Sequence, residues 1–290
     1  MNITLNSYFS GAGLLDIGLI QAGIEIQASY EIDPIGCQVQ RDNGQQVDQV
    51  DLTQKLVEDD LRADVHAYTY PCTKYSAIAD IHGTRTGDEL FLHAFRHMAL
   101  ARPEMFIIEN VPGMKKFKVV MEAMTKLPDY YTTTFCPIKS EVWLPQRRNR
   151  LIIIGSKKNF SWREPKPTKV KRLADILLKD PQVDSPKALT KRMNGAYRDL
   201  PIISDPDKND IAPCCVAHYS KDRSTRVVVD KRYKLGVRPY AVREYARLQG
   251  VPDSYLFNCS KNEAYRLIGN GVSVPLGEWL GDEITRYFDK

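Results

Sequence analysis

Three short segments of this chain carry side chains able to make and break bonds. In Tyr70-Pro71-Cys72-Thr73-Lys74-Tyr75-Ser76 a cysteine follows a proline that ends the apolar run Val65–Thr69. A lone cysteine is ordinarily a small buried residue, yet a thiol at the end of a strand, opening a polar loop that reaches Gly87, suits a nucleophile. In Ile107-Ile108-Glu109-Asn110-Val111-Pro112 an apolar run ends in a carboxylate and breaks at proline, a place equally fit for an acid or a helix cap. In Pro145-Gln146-Arg147-Arg148-Asn149-Arg150 three arginines lead into Leu151–Gly155. On extended backbone Arg148 and Arg150 share one face, because side chains alternate; a solvated basic turn is the competing interpretation.

A fourth segment binds rather than reacts. Phe9-Ser10-Gly11-Ala12-Gly13 lies where the run Ile3–Phe9 turns into the helical spacing of Leu14–Ala22. Glycines there let backbone approach a ligand, and a helix start exposes unpaired N–H groups. Glu31 and Asp33 follow about 20 residues on, where a carboxylate can grip ribose hydroxyls. Nicotinamide dinucleotides and S-adenosylmethionine both fit this pattern, and so does a plain tight turn.

The elements around these segments alternate. Strands are expected at Ile3–Phe9, Ile26–Glu31, Val65–Thr69, Met105–Glu109, Thr132–Pro137 and Leu151–Ser156. Helices are expected at Leu14–Ala22, Pro34–Asn43, Leu52–Leu61, Leu90–Ala101 and Lys118–Leu127. That order predicts an α/β fold with a mostly parallel, doubly wound sheet, whose ligands sit beyond the carboxyl ends of the strands. From Lys157 the pattern changes to a proline-punctuated stretch, and helical periodicity returns at Val242–Gln249, Lys261–Leu267 and Leu276–Phe288. We therefore expect a first domain over 1–156, a small second domain over 157–236, and C-terminal helices over 237–290 that return to the first.

Charge follows the same division. The 290 residues carry +5 overall, but 157–236 holds 19 Lys and Arg against 10 Asp and Glu. A basic module in a mildly acidic body suits a polyanionic partner, or else a solvated lysine-rich loop region. No apolar run approaches the roughly 18–20 residues that span a bilayer, and Met1–Leu5 lacks the basic and apolar regions of a secretory signal. A cytoplasmic protein without membrane contact is expected. The six cysteines show no C-x-x-C pair and no zinc spacing, so no metal is expected.

Taken in order, these segments resemble the signature motifs of the C5-cytosine methyltransferase family. The glycine loop is similar to its first motif, Tyr30-Glu31-Ile32-Asp33 to its second, Pro71-Cys72 to its fourth and Glu109-Asn110-Val111 to its sixth. Gln146-Arg147-Arg148-Asn149-Arg150 resembles the eighth, Arg243–Asp253 the ninth and Ile268–Pro275 the tenth. Only the basic middle is unmatched. The chain departs from the pattern around the cysteine, where Tyr68-Thr69-Tyr70 replaces the usual glycines, and at Ile32, where an aromatic is frequent.

The resemblance implies a Rossmann-like, S-adenosylmethionine-dependent DNA (cytosine-5)-methyltransferase. The Cys72 thiolate would add to C6 of a flipped cytosine and make C5 nucleophilic. Glu109 would meet N3 and the exocyclic amine, and Arg148 and Arg150 the O2 side. Phe9, Gly11 and Gly13 would lie near the methionine part of the cofactor, Glu31 on the ribose and Asp51 on the adenine amine. Ile32, Pro71, Leu90, Asn270 and Val272 would complete the wall. The loop Thr73–Asp88, with Lys74, Ser76 and Arg85, would close over the target, and Arg192, Arg198, Arg223 and Arg226 in the basic middle would contact DNA. Double-stranded DNA is the implied partner, with a cognate restriction endonuclease beside a monomeric enzyme. A tRNA cytosine-5 methyltransferase and a catalytically inactive DNA-binding relative are the alternatives.

Overall fold

The computed structural model describes residues 2–71, 90–167, 171–197 and 199–290. In chain order the first strands are β1 (Thr4–Tyr8), β2 (Glu25–Glu31), β3 (Asp48–Gln49), β4 (Val65–Tyr68), β5 (Met105–Asn110), β6 (Tyr131–Lys139) and β7 (Asn149–Ser156), of which β3 is only two exposed polar residues. They form one seven-stranded sheet in the order β3-β2-β1-β4-β5-β7-β6. Neighbours from β3 to β5 are parallel, while β7 runs antiparallel to both β5 and β6. The centre of the sheet is covered on both faces, which is why Phe106–Ile108 and Leu151–Ile154 are unbroken apolar runs.

Helices α1 (Leu14–Gln21), α2 (Pro34–Asp42), α3 (Leu90–Ala101) and α4 (Lys118–Thr125) flank the sheet. Local chemistry sets their starts: the Asp33 carboxylate accepts from Ile35 N–H and Pro34 opens α2 with its φ already helical. Strand order reverses between β1 and β4, so the crevice a ligand would use lies beyond their carboxyl ends.

One expected helix is absent. Of Leu52–Leu61 only Val57–Asp59 coils, as a single 3₁₀ turn. Tertiary partners take the groups a helix would pair internally: Arg96 donates to the Leu52 and Lys55 carbonyls at 2.9 and 2.7 Å. The Asp60 carboxylate accepts from Tyr8 Oη at 2.8 Å and pairs with His97 Nδ1 at 2.6 Å and Lys55 Nζ at 3.1 Å.

The chain divides into two compact units. The first comprises 1–139, 149–165 and 276–290; the second comprises 140–148 and 166–275. The second holds α5 (Leu173–Ile176), α6 (Lys187–Met193), a small sheet of β8 (Ile202–Ser204), β9 (Arg226–Val229) and β10 (Val237–Pro239), and helices α7 (Val242–Leu248) and α8 (Lys261–Asn270). It is built around Leu189, Val227 and Val237, and around Tyr219 stacked on Tyr245 at 4.7 Å with Tyr265 edge-on to both.

Helices α7 and α8 are grouped with the second unit. Helix α9 (Val274–Phe288) is grouped with the first from Leu276 onward. Gly277 and Gly281, one turn apart, lie so close to α1 that an added Cβ would stand 2.4 Å from Leu15 O and 2.4 Å from the Ala22 Cβ. No helix among the described residues is long and apolar enough to cross a membrane.

Candidate active site

The loop after β1 is fixed peptide by peptide. Phe9 adopts φ 61°, and Gly11 and Gly13 adopt 59° and 66°, values that suit glycine and are uncommon for a phenylalanine. Ser10 N–H donates to Tyr30 O at 3.1 Å, and Gly11 N–H donates to Glu31 Oε2 at 2.7 Å. Gln40 Nε2 donates to Gly11 O at 2.9 Å. The other Glu31 oxygen accepts from Ile32 and Asp33 N–H at 2.9 and 2.8 Å, so the carboxylate is aimed by backbone rather than by a basic side chain.

These residues fit the binding of S-adenosylmethionine. A Cβ added to Gly11 would meet nothing within 4 Å, leaving backbone open to a ligand. Beside it Ile32 presents an apolar side chain that is 58% exposed, as an adenine wall requires. Asp51 is half-buried after β3, its Oδ1 accepting from Thr53 N–H at 2.8 Å. Leu90 opens α3 and packs on the core, and Pro71 is exposed beyond β4. Asn270 and Val272 lie in the second unit, at the end of α8 and just after it, with Asn270 exposed and Val272 buried.

The end of β5 supplies the acid. Glu109 stands opposite Ile152 in the antiparallel β5–β7 pair, which makes Arg150 its diagonal neighbour on the same face. Arg150 Nε lies 2.6 Å from Glu109 Oε1, an ion pair with both side chains largely buried. The next residue, Asn110, ties the ends of two strands together. Its Nδ2 donates to Tyr70 O at 3.1 Å, and its Oδ1 accepts from Val111 N–H at 2.9 Å. Tyr70 is buried; its hydroxyl donates to Met114 Sδ at 3.1 Å and its ring stands edge-on to Phe9 at 6.2 Å. Asn110 is therefore a fastener of the segment that leads to Cys72, a role that its neighbour's carboxylate concealed in the sequence.

Cys72, Lys74, Ser76, Arg85 and Arg198 lie outside the described residues. Among the described cysteines, burial pushes the Cys37 thiol up to about 11 and holds those of Cys136 and Cys215 above the usual thiol range. None of these three is poised as a nucleophile at neutral pH.

Arg148 is placed otherwise than expected. The residue is 2% exposed, and its guanidinium donates to Cys215 O and Gly271 O, both at 2.6 Å, and to Gly269 O at 3.2 Å. Carbonyls, rather than a base, occupy its donors, so it braces the interior of the second unit. Gln146 works beside it: Nε2 donates to Leu248 O at 2.7 Å and Oε1 accepts from Cys215 N–H at 2.8 Å. Gln249 in turn donates to Ile268 O at 2.8 Å. Glutamines from distant motifs thus hold the 215, 248 and 268 segments, which no local pattern signals.

Arg192 is likewise engaged internally, donating to Ser224 Oγ at 3.0 Å, Asp199 O at 2.9 Å and Asp222 Oδ2 at 2.6 Å. Arg223 lies over the Tyr265 ring at 5.9 Å, and Arg226 donates to Thr225 Oγ1 at 3.2 Å. Glu244, in the helix of the ninth motif, forms a buried network with Arg238 and Asp230: Arg238 donates to its two oxygens at 2.7 and 2.8 Å and to Asp230 Oδ2 at 2.7 Å.

Residues 3–286 match the model of the family described as C-5 cytosine-specific DNA methylase. Among curated relatives, the type II methyltransferase M.Sau96I of Staphylococcus aureus is 25% identical over 97% of this chain and 75% of its own length. The type II methyltransferase M1.HphI of Haemophilus parahaemolyticus is 26% identical over 99% of this chain and 87% of its own. Among solved structures, the Entamoeba histolytica methyltransferase EhMeth superposes with a TM-score of 0.80 at 17% identity, covering 100% of both chains. A putative DNA modification methyltransferase encoded within an Escherichia coli prophage does so with a TM-score of 0.76 at 20% identity, again over 100% of both.

Proposed function

The chain belongs to the C-5 cytosine-specific DNA methylase family, and from that premise we propose that Cys72, Glu109 and Arg150 carry out the methylation of a cytosine flipped out of double-stranded DNA. It is an enzyme that methylates cytosine at C5, and S-adenosylmethionine supplies the methyl group. The observation that supports the residue assignment is the Glu109–Arg150 ion pair between the last residues of β5 and the first residues of β7, one residue from the Asn110–Tyr70 tie.

The reaction needs covalent help because C5 of cytosine is a poor nucleophile. The Cys72 thiolate adds to C6, and the electron pair of the C5–C6 bond becomes available at C5 for the methyl carbon. Glu109 receives N3 and the exocyclic amine, and Arg150 faces O2; together they hold the charge that develops in the ring. A base then removes the C5 proton, the C5–C6 double bond re-forms, and the thiolate departs. Glu31 holds the ribose, Asp51 the adenine amine, and Ile32 the adenine face. Phosphate affinity comes from the basic stretch of the second unit, with Arg223 and Arg226 better placed than Arg192, whose donors are taken. The proposal extends to a cytoplasmic monomer with a cognate restriction endonuclease beside it, a pairing in keeping with the relatives' type II designation.

The test is mass spectrometry of the protein incubated with cofactor and a duplex carrying 5-fluorocytosine, against the matching RNA. A covalent adduct is expected on DNA, absent in Cys72→Ser and formed roughly 10²–10⁴ times more slowly in Glu109→Gln. An adduct that survives Cys72→Ser, or one confined to RNA, overturns the proposal.

A further inference from the structure

The crevice at the strand-order reversal is bounded by the residues that follow β1 and β4, and one side chain joins them. Thr69, the first residue past β4, continues the ladder by donating its N–H to Tyr8 O at 3.2 Å. Its hydroxyl then reaches one residue further and donates to Phe9 O at 3.0 Å. The peptide between Phe9 and Ser10 is thereby held at both ends, its carbonyl by Thr69 Oγ1 and its N–H by Tyr30 O at 3.1 Å.

That peptide needs holding. Among the described residues Phe9 is one of three non-glycine residues with positive φ, at 61°, a conformation that an L side chain leaves readily unless the surroundings fix it. Relaxation of Phe9 toward the ordinary extended region would turn its carbonyl away and carry Ser10 and Gly11 with it. Gly11 N–H is one of three backbone donors that aim the Glu31 carboxylate, and the one on its Oε2, at 2.7 Å.

We infer that Thr69 is a positioning residue for the cofactor: its hydroxyl fixes the Phe9 carbonyl and so presets the glycine loop and Glu31 for S-adenosylmethionine. The inference rests on the cofactor assignment made above and concerns affinity, not the chemical step. A preset loop loses less conformational freedom on binding, so loss of the hydroxyl weakens binding rather than catalysis. Removing one neutral hydrogen bond worth about 1 kcal/mol corresponds to a change of about fivefold in a dissociation constant.

The experiment is isothermal titration of S-adenosylhomocysteine into the unaltered protein, Thr69→Ala and Thr69→Ser, with the KM for S-adenosylmethionine and for DNA measured alongside. Thr69→Ala is expected to bind about fivefold more weakly, with a rise in the cofactor KM that exceeds any fall in kcat or rise in the DNA KM. Thr69→Ser, which keeps the hydroxyl, is expected to restore affinity. The titration stoichiometry reports the folded fraction separately from the affinity, so partial misfolding does not imitate the effect. Equal affinity in Thr69→Ala, a loss that serine does not restore, or a fall in kcat with cofactor affinity unchanged overturns the inference alone. Absence of any binding by the unaltered protein overturns the cofactor assignment as well.

Discussion

Asp16 offers a measurement whose sign and size both follow from its surroundings. It lies in the first turn of α1, directly after the glycine loop, and is buried. Ser7 Oγ donates to Oδ1 at 2.7 Å and Ser29 Oγ to Oδ2 at 3.0 Å. Burial outweighs both hydroxyls and raises the carboxyl from 3.8 to about 6. Between those values the folded protein keeps a proton that the unfolded chain has released. Stability tied to this group is therefore fully present below 3.8 and is lost as pH rises through 6. At about 1.36 kcal/mol per unit, the charged form costs on the order of 3 kcal/mol at pH 8. Asp16→Asn has the same shape and no charge, and one serine hydroxyl must turn to accept from the new amide, at a cost of roughly 1 kcal/mol. The variant is then expected to be more stable by about 1–3 kcal/mol at pH 8, with the gain shrinking below roughly 1 kcal/mol at pH 4.5. Urea unfolding of both proteins across that range measures the difference, and a ¹³C carboxyl titration of Asp16 reports the group itself. A difference that does not change with pH, or a variant less stable at pH 8, would refute the reasoning.

Two further outcomes follow from the second unit. Arg238→Met leaves the Asp230 and Glu244 carboxylates buried without their shared cation, so a loss of about 3–5 kcal/mol is expected in thermal or denaturant unfolding; a loss below roughly 1 kcal/mol would count against the network as a structural centre. Arg192→Ala is expected to lower stability while leaving the slope of log affinity for DNA against log salt unchanged, because its donors already serve Ser224, Asp199 and Asp222. A slope smaller by about 0.9, the signature of one lost phosphate contact, would show that Arg192 reaches DNA after all.

The sequence by itself determined the sheet and the family. Strands β5 and β7 are built on the unbroken apolar runs Met105–Ile108 and Leu151–Ile154, and such a signal is local. The ordered motifs did the rest, since catalytic and cofactor residues cluster at strand ends that the chain itself punctuates with glycine and proline. Other features depended on partners far away in the chain. Leu52–Leu61 read as a helix until Arg96, His97 and Tyr8 took its polar groups. Arg148 and Arg150 were equivalent by alternation, yet the β5–β7 register sets Arg150 diagonal to Glu109 while the carbonyls of Cys215, Gly269 and Gly271 enclose Arg148. The bonds from Asn110 to Tyr70 and from Thr69 to Phe9 span 40 and 60 residues. Which atoms meet at the reversal of strand order depends on register and crossover, and those belong to the tertiary structure alone.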